Sequence, residues 1–284
     1  MTFSIVACDL DTEQIGIAVA SKFLAVGAVV PYLTAGVGAV ATQALANTAY
    51  GPDGLALLAG AATPREALDA LTGADADAAE RQAGIVDARG RSASFTGEGC
   101  LPWSGGRTGP RFAAQGNLLA GPAVVDEMAN AFETTPGQLG ERLLAALAAG
   151  DLAGGDRRGR QSAALVIVSP GGGYAGGNDR FCDLRVDDHA DPVPELARLW
   201  KLHWLLFGST PEAEKLAFDD DLAREVARQL RSLGRGPAEG ESVQAALARY
   251  ADIENLESRY DGGDLLDPVV RAYLADQAAS TSPS

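Results

Sequence analysis

The usual catalytic signatures are mostly absent from this 284-residue sequence. There are two histidines, His189 and His203. A Ser-His-Asp hydrolase needs a well-placed imidazole as its base. His189 lies in the acidic run Asp187-Asp188-His189 and His203 at an amphipathic helical position, and both read as surface or partly buried histidines. The three cysteines, Cys8, Cys100 and Cys182, are odd in number and form no C-x-x-C. That argues against a disulfide framework or a zinc site and for a reducing compartment, with the thiols as small buried fillers. No G-x-S-x-G elbow, P-loop or H-E-x-x-H run occurs. Gly36-Val37-Gly38-Ala39-Val40-Ala41 imitates the dinucleotide fingerprint, but no helix clearly opens inside it, so packing glycines in a strand is the better reading. Neither a metal nor a cofactor is expected.

What remains is Thr2. Threonine after Met1 is small enough for methionine aminopeptidase to expose it. An N-terminal threonine carries its own base, because an α-amine titrates near ~7.7–8.0 and is partly neutral at physiological pH. The amine, directly or through one water, can take the Oγ1 proton as the oxygen attacks a carbonyl, so no histidine is needed. Such a nucleophile must be rigidly held, and Thr2 opens an apolar strand. A nearby cation would keep the amine neutral and stabilise developing charge. Lys22 is one of three lysines among 23 basic residues and ends the next strand. It either reaches back towards Thr2 or snorkels to solvent.

The elements that must position these groups follow from periodicity. Residues 2–8 and 15–20 form a hairpin, and a third strand is expected over 36–42. Residues 54–59 and 64–71 have helical spacing, with Thr63 as N-cap and Pro64 at the first helical position. Strands 82–87 and 91–96 join through Ala88-Arg89-Gly90. A Gly/Pro-rich loop, 101–110, leads to a short strand at 112–118. Helices over 122–133 and 136–149 and a glycine-rich loop precede the apolar run 161–169, a strand buried on both faces. A strand at 181–186 and a helix at 192–206 complete the series. Hairpin-linked strands separated by helix pairs suit an α+β fold, two antiparallel sheets packed face to face with helices outside, a four-layer αββα sandwich. Beyond Gly208-Ser209-Thr210-Pro211 only helical patterns remain, at 219–233, 243–250 and 268–274. The expected division is 1–207, a small all-α module over 208–277, and a disordered tail over 278–284.

Several runs together resemble a known bacterial family. They are Thr2-Phe3-Ser4-Ile5-Val6-Ala7, Val19-Ala20-Ser21-Lys22-Phe23-Leu24-Ala25-Val26-Gly27, Gly38-Ala39-Val40-Ala41-Thr42-Gln43-Ala44, Ala114-Gln115-Gly116-Asn117, Gly155-Asp156-Arg157-Arg158-Gly159-Arg160-Gln161-Ser162-Ala163 and Asn178-Asp179-Arg180. The family is known only as domain of unknown function 1028 and is assigned to the Ntn-hydrolase superfamily, enzymes with an N-terminal nucleophile on an αββα fold. The resemblance covers about residues 2–205. It implies Thr2 as nucleophile and Lys22 near the position of a cationic or polar helper. Asn117 is either an oxyanion donor or a strand-end asparagine. Ser21 and Gln43 are placed to touch substrate, Gln43 alternatively closing its strand. Arg158 either clamps a substrate carboxylate or pairs with Asp156, and Gln161 lies on the same loop. The segment after 209, around Tyr250 to Tyr260 and Gly262-Gly263-Asp264-Leu265-Leu266-Asp267-Pro268-Val269, resembles a module named for peptidoglycan binding.

The formal charge of -15 disfavours nucleic acid and anionic membrane partners. With no leader-like or membrane-spanning run, a cytoplasmic protein is expected. The leading expectation is an amidohydrolase acting on a small-molecule amide or peptide-like substrate through Thr2. The alternative is a non-catalytic Ntn-like protein that binds a metabolite or muropeptide. A third reading makes the helical module a homodimerisation element.

Overall fold

Strand alternation at the amino terminus places Phe3, Ile5 and Ala7 on one face and Thr2, Ser4, Val6 and Cys8 on the other. Every one of these is buried, so the first strand must be covered on both sides. The computed structural model describes residues 2–280 and satisfies this demand. It divides at Trp200/Lys201 into two units; the sequence had suggested 207/208.

The first unit holds strands β1 (Thr2–Asp9), β2 (Gln14–Ser21), β3 (Pro31–Thr34) and β4 (Gly38–Ala44), then helices α1 (Tyr50–Ala59) and α2 (Pro64–Ala74). Next come β5 (Arg81–Asp87), β6 (Ser92–Thr96), β7 (Gly105–Gly109) and β8 (Phe112–Asn117), then α3 (Ala123–Thr134) and α4 (Leu139–Leu152). β9 (Ser162–Val168) and β10 (Arg180–Val186) lead into α5 (Pro192–Phe207), within which the division between the units falls. Two antiparallel sheets result, one ordered β10-β9-β2-β1-β8-β7 and one β3-β4-β5-β6. Two strands depart from expectation. β3 is absent from the sequence reading, and β7 lies inside the stretch read as the loop 101–110. Gly-Gly-Arg-Thr-Gly has no apolar periodicity, and only its pairing with β8 makes it a strand.

Between the sheets Val6, Ile17, Val19, Ala39, Ala41 and Val86 form one apolar cluster. Helices α3 and α4 cover the other face of the six-stranded sheet. Close approach is set by Gly16 on β2, where a Cβ would stand 2.6 Å from Leu143 of α4. Helices α1 and α2 pack Leu58, Leu68 and Leu71 on Val40 and Ile85 of the smaller sheet. The expected start of α2 is present: Thr63 Oγ1 accepts from the Glu66 N–H at 3.2 Å and the Glu66 carboxylate accepts from the Thr63 N–H at 2.8 Å.

The second unit is helical, as its periodicity implied. It contains α6 (Asp220–Ser232), α7 (Val243–Ile253), α8 (Pro268–Ser280) and a two-residue ladder of β11 (Leu216–Ala217) with β12 (Leu265–Leu266). Helix α8 continues through residues expected in the tail; 281–284 lie outside the described residues. Eight α-helices occur among the described residues, and none is long and apolar enough to cross a membrane.

So small a core needs a fixed centre, and Arg259 supplies one. Its guanidinium and the Asp267 carboxylate meet at 2.7 Å with both side chains 1% exposed. Arg259 also donates to the carbonyls of Trp204 and Leu205, and Asp267 accepts from Thr210 Oγ1 at 3.0 Å and the Val269 N–H at 2.8 Å. Removing one partner strands the other as an unpaired buried charge. Arg259→Met is expected to cost the helical unit about 3–5 kcal/mol in chemical denaturation. Arg259→Met combined with Asp267→Leu is expected to recover much of that loss.

Candidate active site

The strand registers assemble a polar row at one end of the six-stranded sheet. Thr2 lies opposite Asn117, and Ser21 opposite Ser162. Thr2 Oγ1 donates to Ser21 Oγ at 3.1 Å and joins the two pairs across β1 and β2. Directly opposed residues of an antiparallel ladder share a face, so all four side chains point towards the smaller sheet. Each is buried, Thr2 being the most exposed at 5%.

One pleat deeper, Ser4 lies opposite Gln115. From the facing sheet come Gln43 and Gln82, themselves a cross-strand pair. These buried groups satisfy one another. Gln43 Nε2 donates to the Thr2 carbonyl at 3.2 Å and to Gln82 Oε1 at 2.8 Å. Gln82 Oε1 also accepts from Asn117 Nδ2 at 2.9 Å, and Gln82 Nε2 donates to the Gly116 carbonyl at 2.8 Å and to Thr96 Oγ1 at 2.9 Å. Ser4 Oγ donates to Gln43 Oε1 and accepts from Gln115 Nε2, both at 2.7 Å. The Thr2 backbone is thus held by Gln43 and the Asn117 amide by Gln82. Sequence reasoning named Gln43 and Asn117 but missed Gln82, Ser4, Gln115 and Ser162. The available signal was a glutamine within each of two buried runs, Gln82 near the start of β5 and Gln115 inside β8.

The other expected site residues lie around this row. Lys22 is exposed; its N–H donates to Asp156 Oδ2 at 2.8 Å and its ammonium to the Arg160 carbonyl at 3.2 Å. Its ammonium makes no hydrogen bond to Thr2 among the described residues. Arg158 is committed to Asp156, with Nη2–Oδ2 at 3.0 Å and Nε–Oδ1 at 3.2 Å. Of the two roles open to it from sequence, the structure displays the ion pair. Gln161 Nε2 donates to Asp188 Oδ1 at 3.2 Å, off the polar row. Ser162 Oγ donates to the Phe23 carbonyl and accepts from the Val26 N–H, which fixes the chain just beyond Ser21.

A cleft of about 510 Å3 touches the end of β2 at Ser21 and is also lined by Phe3, Asp151, Asp156, Arg160 and Val193, while Thr2 and Asn117 do not line it. Arg160 crosses it, bonding Asp151 at 2.8 Å and Asp191 at 2.9 Å. Loops leaving the same strand ends expose Phe23, Leu24, Leu45 and Leu101.

No thiol is equipped as a nucleophile here. Burial and the Asp87 charge push Cys8 up to about 11, and burial and Asp183 push Cys182 up to about 12. Burial also raises Cys100, so all three stay protonated at neutral pH. Burial lowers His203, and His189 accepts the Asp191 N–H at 3.0 Å; neither belongs to the polar row.

A family described as "Family of unknown function (DUF1028)" matches residues 2–196. The chain belongs to the DUF1028 family. A second family, described as "Putative peptidoglycan binding domain", matches residues 207–274. The chain is similar to the crystal structure of protein SPO2555 from Silicibacter pomeroyi, also of DUF1028, with 33% identity and a TM-score of 0.66 over 72% of this chain and 86% of that one. No functionally curated protein matches the chain.

Gln82 joins the site to the fold, which makes it the informative position to change. Gln82→Leu would leave Asn117 Nδ2 and Gln43 Nε2 without this acceptor and the Gly116 carbonyl without this donor. The expected loss in urea unfolding is about 2–4 kcal/mol, since each buried polar group stripped of its partner costs ~1–3 kcal/mol, part of it recovered by relaxation.

Proposed function

We propose that the first unit is an N-terminal-nucleophile amidohydrolase, built on the αββα layering of that superfamily. It cleaves a small amide or peptide-like substrate through an acyl-enzyme on Thr2. The observation that carries this reading is the placement of Thr2 on the central strand, its hydroxyl bonded to Ser21 and its cross-strand neighbour the amide of Asn117. A hydroxyl and an amide donor, side by side and rigidly held at a strand end, are what acyl transfer requires.

Once Thr2 is exposed as the amino-terminal residue, its neutral α-amine accepts the Oγ1 proton while Oγ1 bonds to the substrate carbonyl carbon. A carboxamide nitrogen carries two N–H groups. Gln82 takes one from Asn117, and the other donates to the oxyanion. The resulting ammonium returns its proton to the leaving nitrogen, the C–N bond breaks and an ester on Thr2 remains. Water then attacks that ester with the amine again as base, releasing the acid and regenerating Thr2. Ser21 orients Oγ1, and Gln43 holds the backbone that carries it. Lys22 and Arg158 brace the loop through Asp156 and Arg160 beside the cleft. Phe23, Leu24, Leu45 and Leu101 offer apolar surface to the acyl part.

The peptidoglycan-binding match favours a second reading, in which the protein binds a muropeptide without catalysis. Intact-mass spectrometry after incubation with amides, lactams and muropeptides separates the two. The enzyme reading requires loss of Met1 and an acyl adduct on Thr2. Thr2→Ser is expected to retain acylation, and Thr2→Ala to abolish it with the fold retained, at a cost of about 1–2 kcal/mol for the lost Ser21 contact. Full hydrolysis by Thr2→Ala would overturn the assignment. Only the neutral amine accepts a proton, so kcat/KM is expected to rise with pH through about 7.7–8.0 and then level off.

A further inference from the structure

In the helical unit, α6 presents Arg224, Arg228 and Arg231 on its exposed face. Spacings of four and three residues align them in one stripe. Ala223, Ala227 and Val243 form the apolar floor of a shallow groove of about 490 Å3 that the three arginines line. The background is acidic, with nine Lys and Arg against fifteen Asp and Glu over residues 201–284. Of the four other arginines in this unit, three are matched to carboxylates: Arg249 to Glu241 at 3.2 Å, Arg259 to Asp267 at 2.7 Å and Arg271 to Glu225 at 2.8 Å. Arg228 and Arg231 have no ion-pair partner among the described residues. Among the described residues Arg224 meets Asp221 alone, and both side chains are largely exposed. Such a pair contributes about 0.2–1 kcal/mol and exchanges readily for a better anion. Like charges one turn apart repel, and an anion lying across the stripe relieves that repulsion.

We propose that this groove binds an extended acidic peptide whose carboxylates meet Arg224, Arg228 and Arg231. At 1.5 Å rise per residue the stripe spans about 10 Å. Three residues of a polyproline II chain cover about the same length, at ~3.1 Å each, and its three-residue turn puts side chains three apart on one side. Carboxylates three residues apart therefore reach both ends of the stripe, and a guanidinium fork receives each bidentately. Asp220 lines the same groove one turn before Arg224 and repels a carboxylate there. The peptide's negative charge is thereby confined to the Arg224–Arg231 stretch. This site is independent of the chemistry proposed for Thr2.

The test uses the full-length protein and a fluorescently labelled, end-blocked peptide containing Glu-Ala-Ala-Glu, read by fluorescence anisotropy. The glutamate peptide is expected to bind at least about tenfold more tightly than its glutamine counterpart, with affinity falling several-fold as salt rises towards ~0.3 M. Arg228→Gln with Arg231→Gln is expected to weaken binding at least about tenfold at an unchanged melting temperature, each single change doing so in part. Lys215→Gln, outside the groove, is expected to change nothing. The proposal is overturned by no binding up to about 1 mM peptide, by equal affinity for the glutamine peptide, or by undiminished binding in both single variants and the double variant. Tighter binding of a single-stranded oligonucleotide than of the peptide would overturn it too.

Discussion

Two sheets that meet through carboxamides are constrained differently from two that meet through aliphatic groups alone. Gln43 and Gln82 enter from one sheet, and Ser4, Gln115 and Asn117 answer from the other. A buried amide without partners costs more than a made hydrogen bond returns, so such a cluster is stable only when nearly complete. Sliding either sheet breaks several bonds together. Moving β1 by a single residue would also turn Thr2 and Ser4 to the helical face and bring Phe3 and Ile5 between the sheets. The cluster therefore fixes the strand register, and the strand register fixes where Thr2 sits.

The remainder of the first unit divides the work by position. Away from the polar row, the space between the sheets is filled by Val6, Ile17, Val19 and Val86. Apolar contact there supplies a non-directional driving force, while the glutamines at the other end supply direction. On the opposite face of β1, Phe3 lies close to Gly150 and Gly155. These glycines bring the end of α4 and the following loop down beside the cleft, so one strand organises both the row and its surroundings.

Much of the fold was legible in the sequence, and the exceptions have physical causes. The β1–β2 hairpin, the β5–β6 hairpin and the α2 capping box carry their own local signals: alternation, a turn and a cap. β9 was readable as a doubly buried strand because its residues are apolar almost throughout. β7 was hidden because an edge strand of glycine, arginine and threonine has nothing to alternate. At the site, Thr2 stood out by chain position and resemblance, and Ser21, Gln43 and Asn117 as polar ends of apolar runs. Gln82 could not be linked to them because its pairing with Gln43 depends on a register formed by residues forty positions apart. The partners of Lys22 and Arg158 likewise come from the fold of the loop at 154–160. The family match supports the whole stretch without naming an activity.

The bare backbone of Gly84 has a further consequence. Gln115 Oε1, buried without a donor among the described residues, rests where a Cβ on residue 84 would stand, 2.0 Å away. Any side chain at 84 must displace that carboxamide, and with it the donor that reaches Ser4. The two positions are therefore sterically coupled: a larger residue at 84 fits only beside a shorter one at 115, and enlarging 84 alone overpacks the space between the sheets.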